Sequence, residues 1–135
     1  MIEKHIWRPV SSNTVSTAKP SSRWGHSSCV IGDEMVLFGG YAGTRFIMLD
    51  SIYMNDVWIY HTANMQWTEI KTFGAVPSQR SNSSFHYDSK NNRIIMFGGG
   101  GSNKTRFNTI HLLDWNTKIW TEIAPKCTLV SYLEN

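Results

Sequence analysis

The chain has 135 residues, enough for one folded unit with its own core, and 41% apolar against 17% charged residues set it apart from disordered chains. Six Trp, six Phe, five Tyr and ten Gly favour β structure, whose pleated faces suit aromatic and β-branched side chains. The net charge of +3 is mild and the Lys and Arg are scattered, which argues against a nucleic-acid binder with a concentrated basic patch.

The N-terminal MIEKHIWRPV starts with charge and lacks the apolar stretch of a secretory signal. No segment approaches the roughly 18 apolar residues of a membrane helix. A cytoplasmic setting is therefore expected, with Cys29 and Cys127 as reduced thiols and the sequons at Asn82 and Asn103 incidental. His5 to Pro9 reads as an orphan outer strand carrying Trp7. Beyond it, eight short strands are predicted: Gly25–Ile31, Glu34–Phe38, Asp56–His61 and Gln66–Ile70, then Ser83–Tyr87, Arg93–Phe97, Thr109–Leu113 and Ile119–Ile123. Clusters of Gly, Asn, Asp and Ser separate them, as in all-β chains.

These strands form two copies of one unit. Arg23 maps to Arg80 at an offset of 57, and Phe38-Gly39-Gly40 to Phe97-Gly98-Gly99 at an offset of 59. Asn55 to Tyr60 maps to Asn108 to Leu113, and Trp67-Thr68-Glu69-Ile70 to Trp120-Thr121-Glu122-Ile123, both at an offset of 53. Val57 and Ile59 point to one face of their strand while Trp58 and Tyr60 point to the other, so each sheet needs a neighbour on both sides. Tyr41 to Met54 is a longer insertion than its counterpart Gly100 to Phe107.

The run FGGGGSNKT, from Phe97, comes within one residue of a phosphate-binding loop, with Asn103 where the last glycine of that frame belongs. The glycine pair recurs at Gly39-Gly40 without a lysine, and RFNTIHLLDW after Thr105 reads as loop and strand rather than as the helix such a loop needs. The glycines are expected to serve the backbone, through positive φ and close approach.

The ordered set of Arg, a glycine pair closing an apolar strand, an apolar-aromatic strand and a Trp some seven residues further resembles the kelch repeat over Pro20 to Ile123. The resemblance implies an all-β fold: two four-stranded kelch blades of an incomplete β-propeller, with the orphan strand in front. The expected divisions are 1–19 for the orphan strand and linker, 20–76 and 77–124 for the repeats, and 125–135 for a tail. That tail, Pro125-Lys126-Cys127-Thr128-Leu129, resembles the junction between kelch blades and a BTB domain in leucine-zipper-like regulators. The resemblance further implies a non-catalytic protein-interaction module, a scaffold or adaptor. The alternative is two blades of a kelch-type metal-dependent oxidase or specifier enzyme. Expected partners are a protein with an acidic or phosphorylated segment, and further blades or copies of the chain, with neither nucleic acid nor membrane.

No catalytic set, cofactor or metal site is expected. The histidines, His5, His26, His61, His86 and His111, show no ligand spacing. His26 and His86 read as first-strand residues, and Asp50 and Asp56 as loop acids. The loops at one end of the blades carry the predicted contact residues Arg23, Trp24, Tyr41, Arg45, Arg80, Ser81, Asn82, Asn103, Lys104 and Arg106. In kelch adaptors an Arg or Ser at the start of the first strand grips acidic peptide groups, and Arg23, Arg80 and Ser81 match that position. The competing reading has each Arg tying its own turn to backbone carbonyls or to a neighbouring blade's acid. Gly39, Gly40, Gly98, Gly99, Trp67 and Trp120 are the structural landmarks of the repeat.

Overall fold

A computed structural model describes residues 18–43 and 52–124. The first sheet contains β1 (Ser27–Ile31), β2 (Glu34–Ala42), β3 (Ile52–His61) and β4 (Gln66–Ile70), paired antiparallel in chain order. The second holds β6 (Ser84–Asp88), β7 (Arg93–Phe97), β8 (Ile110–Asp114) and β9 (Ile119–Ile123), again in chain order, with a two-residue strand β5 (Phe73–Gly74) at its outer edge. The all-β architecture of two blades is the expected one. The orphan strand at His5 to Pro9 and the tail from Pro125 lie outside the described residues.

Short polar turns close the β1–β2, β3–β4, β6–β7 and β8–β9 hairpins. Gly32, at φ 58°, opens the β1–β2 hairpin, and Asn92, at φ 46°, closes the β6–β7 turn. After β8 the Asp114 carboxylate accepts from the backbone N–H of Asn116 (3.0 Å) and Thr117 (2.8 Å), an arrangement that fixes a tight reversal. Strand registers coincide between the repeats: Tyr60 pairs with Trp67 in the first sheet and Leu113 with Trp120 in the second. The two tryptophans therefore occupy equivalent places.

Three features differ from the sequence-based expectation. β2 continues past Phe38 to Ala42, because Gly39 and Gly40 bend the strand through a register shift instead of ending it. β3 starts earlier, at Ile52, to pair with that extension. Phe73–Gly74 adds a fifth, parallel strand against Ile119 and Trp120. This pairing carries the chain from the edge of one blade to the edge of the next. Gly74 is required there: at φ 78°, an added Cβ would lie 2.5 Å from the Trp120 carbonyl oxygen.

The core lies between the two sheets. Val36, Phe38 and Val57 of the first face Ile94, Met96, Leu113 and Trp120 of the second. The Phe38 ring stacks on Phe85 at 5.9 Å and meets Trp120 edge-on at 5.7 Å. Ser27 Oγ donates to the Ser83 carbonyl at 2.7 Å, tying the first strands of the two blades together. On the far side of the second sheet Phe97, Ile110, Ile119 and Ile123 stand exposed. The far side of the first sheet is closed at its centre, where Leu37 and Trp58 are buried, although Val30 at its margin is exposed.

Candidate functional site

At one end of the blades the turns entering β1 and β6 meet the kinked end of β2 and the loop that follows β7. The glycine pairs make this junction possible. Gly39 (φ 59°) lies so close to blade two that a Cβ would stand 2.7 Å from the Arg80 carbonyl oxygen. Gly40 N–H donates to that same oxygen at 2.9 Å, and Arg80 N–H donates to the Met54 carbonyl at 3.0 Å. In the second pair, a Cβ on Gly99 would meet Ser83 Oγ at 2.5 Å and the Ser81 oxygen at 2.8 Å. The space beside Gly99 is thus filled by the chain's own atoms. After Gly101 comes a three-residue 3-10 turn (Ser102–Lys104) in place of a helix.

Arg23 and Arg80 are spent inside this scaffold. Arg23 donates through Nη1 and Nη2 to the two Asp56 carboxylate oxygens, at 2.6 and 2.9 Å, and through Nη1 to the Gly39 carbonyl at 3.0 Å. This bidentate pair is closed to solvent on the arginine side, whose side chain is 4% exposed. Asp56, which opens the predicted strand and was grouped with the loop acids, lies within β3 and is the centre of the pair. It also accepts from Trp58 Nε1 at 2.6 Å. The acid comes from the arginine's own blade, not from a neighbouring one.

Arg80 is 2% exposed. Its Nε donates to the Ser78 carbonyl at 2.9 Å, and its Nη1 to the Gly98 carbonyl at 3.0 Å and Thr109 Oγ1 at 3.3 Å. The Phe107 ring covers the guanidinium at 3.8 Å. Burial pulls its pKa below the usual arginine value, and the Glu122 charge pulls it partly back. Ser81 is buried too, exchanging two backbone hydrogen bonds of 2.8 Å with Gly100. All three residues hold the turns in place. Both arginines turn inward for one physical reason: a guanidinium at the start of the first strand lies within reach of the carbonyls that the glycine kinks turn inward.

The remaining predicted residues line two adjoining clefts. The larger, of about 650 Å³, is bordered by Trp24, Tyr53, Asn82, Phe97, Arg106 and Phe107 among others. The second, of about 550 Å³, is lined by Tyr41, Tyr53, Ser102, Asn103, Lys104 and Arg106 with Gly101. Trp24, 55% exposed, pairs its backbone with Tyr41, and Trp24, Tyr41 and Tyr53 form an edge-to-face row with ring centroids 4.7 and 4.9 Å apart. Asn82, Asn103 and Lys104 hold φ values of 56°, 53° and 61°. Asn82 N–H is anchored to the Gly25 carbonyl at 2.7 Å, so its position is set by the turn entering β1. Arg106 donates to the Thr105 carbonyl at 3.0 Å and lies exposed at the border of both clefts. Arg45 lies outside the described residues.

Sequence reasoning missed Tyr53 and Phe107. Both lie beside the loops that were singled out, and both are large aromatics close to a repeat landmark. Of the histidines, His26 and His86 are exposed, whereas His111 is buried against Trp120. Among the described residues, no helix is long and apolar enough to cross a membrane.

Comparison with known proteins agrees with this geometry. Residues 2–132 match the model of the KLHDC2/KLHL20/DRC7 Kelch-repeats domain. The chain is 31% identical over 133 residues to Kelch domain-containing protein 3 of Bos taurus, covering 92% of this chain and 32% of that protein. It is 34% identical over 105 residues to Acyl-CoA-binding domain-containing protein 4 of Arabidopsis thaliana, covering 78% of this chain and 14% of that protein. With Dynein regulatory complex subunit 7 of Chlamydomonas reinhardtii it shares 31% identity over 98 residues, 73% of this chain and 8% of that protein. The chain thus spans a third or less of each of these relatives. On the repeat, the blade pair and the family match together, this chain belongs to the kelch-repeat family.

Proposed function

We propose that the chain is a non-catalytic protein-interaction module of the cytoplasm, and that it binds an acidic or phosphorylated segment of a partner across the Trp24–Arg106 clefts. One observation carries this reading: among the described residues, those lining the two clefts include Lys104, Arg106 and three clustered aromatics, and no carboxylate. Exposed cations steer and orient an anionic partner, while aromatic rings supply contact area at low entropic cost. Trp24, Tyr41, Tyr53, Asn82, Asn103, Lys104 and Arg106 form the contact surface. Arg23, Arg80 and Ser81 hold it in shape from behind.

The exposed Phe97–Ile110 face supports a further proposal of the same kind, that another blade covers it in the full assembly. Its counterpart in the first sheet, around Phe38 and Val57, is covered in just that way. Sedimentation of this chain alone at micromolar concentration is expected to show association, and a monodisperse monomer contradicts it.

The binding reading is tested on an array of acidic, phosphorylated and neutral peptides probed with wild type and with a Trp24→Ala, Arg106→Glu double variant. Wild type is expected to retain acidic and phosphorylated peptides, less so as salt rises, and the double variant to lose them. Equal retention of neutral and acidic peptides by both proteins removes the proposed surface.

A further inference from the structure

Asp56 and Thr109 hold the same place in the two repeats, two residues before Trp58 and His111 respectively. In the first repeat the Asp56 carboxylate satisfies both terminal nitrogens of Arg23 and the Trp58 indole. The second repeat keeps the arginine and omits the acid. Thr109 gives Arg80 one neutral oxygen where Asp56 gives Arg23 two charged ones. His111, standing in the place of Trp58, is 3% exposed, and its Nδ1 is buried without a hydrogen-bond partner. A cavity of about 240 Å³ opens among Arg80, Thr109, His111, Phe107, Val76 and Glu122. Among the described residues it shares only Phe107 with the partner clefts.

We propose that this cavity is a small-anion site, in which a carboxylate or halide ion takes the place against Arg80 that the Asp56 side chain takes against Arg23. A water molecule's share of liquid volume is about 30 Å³, so the cavity has room for such an ion and part of its hydration. Arg80 supplies the charge and Thr109 Oγ1 a hydroxyl, with the His111 ring in the same lining. Glu122 works against the ion. It is the one acid among the described lining residues, half exposed, with Oε2 3.5 Å from His111 Nε2. The site is therefore weak, and removing that charge strengthens it.

The test is titration of wild type, Thr109→Asp and Glu122→Gln with sodium formate, and separately with sodium chloride, at an ionic strength held constant with sodium sulfate. The His111 ring resonances are read by NMR. The two salts separate a site for carboxylates from one for any small monovalent anion, and saturation by either supports the proposal. Thr109→Asp is expected to weaken the response by about tenfold or more, because its own carboxylate fills the place. Glu122→Gln is expected to tighten it about threefold or more. A wild-type response that never saturates, or one identical in the two variants, overturns the site. Should Thr109→Asp fail to fold, an unchanged affinity in Glu122→Gln is enough to overturn it.

Discussion

Phe38 and Phe97 stand at the same register of two equivalent sheets, each followed by two glycines, yet Phe38 is 1% exposed and Phe97 49%. The difference is the neighbour. Phe38 has Phe85 and Trp120 against it, whereas Phe97 has an open face. Phe38→Ala is therefore expected to destabilise the fold by about 3–5 kcal/mol through lost burial and a cavity. Phe97→Ala is expected to cost about 1 kcal/mol or less. Urea unfolding of the two variants, at a concentration low enough that the chains are dissociated, checks this, and equal costs there would contradict it.

The Arg23–Asp56 pair gives a second contrast. Asp56→Ala leaves a guanidinium buried without its acid and the Trp58 N–H without an acceptor, a loss of about 3–5 kcal/mol. Thr109→Ala, at the same place in the other repeat, removes a single 3.3 Å hydrogen bond from the guanidinium to an uncharged hydroxyl and is expected to cost about 1 kcal/mol. The ratio of the two costs in the same unfolding assay measures how differently the repeats hold their arginines.

Gly39→Ala places a methyl group 2.7 Å from the Arg80 carbonyl and 2.8 Å from the Met54 carbonyl, at a φ of 59°. Neither backbone oxygen can withdraw without breaking the junction between blades. The expected cost is about 2 kcal/mol or more, against about 1 kcal/mol for Gly32→Ala, which has open space around it at a similar φ.

His111 makes stability depend on pH. Burial first, and the Arg80 charge second, hold its folded pKa below 6.5, while the Glu122 charge opposes them in part. The unfolded chain therefore takes up this proton before the folded one does. The contribution is fully present above about 6.5 and is lost as pH falls from there through the folded pKa, at up to about 1.4 kcal/mol per pH unit. His111→Gln is expected to flatten that part of the profile, as read from urea midpoints between pH 7 and 5.

Much of the fold was legible because the repeat states it twice. Trp67 and Trp120 mark the same strand, and the eight main strands fall near their expected positions. The edge strand at Phe73–Gly74 was not legible, since two residues carry no periodicity and their pairing is made with Trp120, far along the chain. The extension of β2 was hidden by Gly39-Gly40, which read as a stop and act as a bend. At the site, Trp24, Tyr41, Asn82, Asn103, Lys104 and Arg106 were named from their loops, and they line the two clefts. The inward turn of Arg23 and Arg80 was one of two readings, but the acid partner was not legible, because the Arg23–Asp56 pair spans 33 residues and the second repeat, with Thr109, does not repeat it.

The central claim is that two copies of one sheet stack through Phe38 and Trp120, and that this stacking builds the clefts at their end. Nuclear Overhauser contacts between the Phe38 ring and the Trp120 indole test it most directly. The account predicts strong contacts at a centroid separation of 5.7 Å and none between the Phe97 ring and Trp120. Contacts from Phe97 to Trp120, with the Phe38 ring open to solvent, would contradict it.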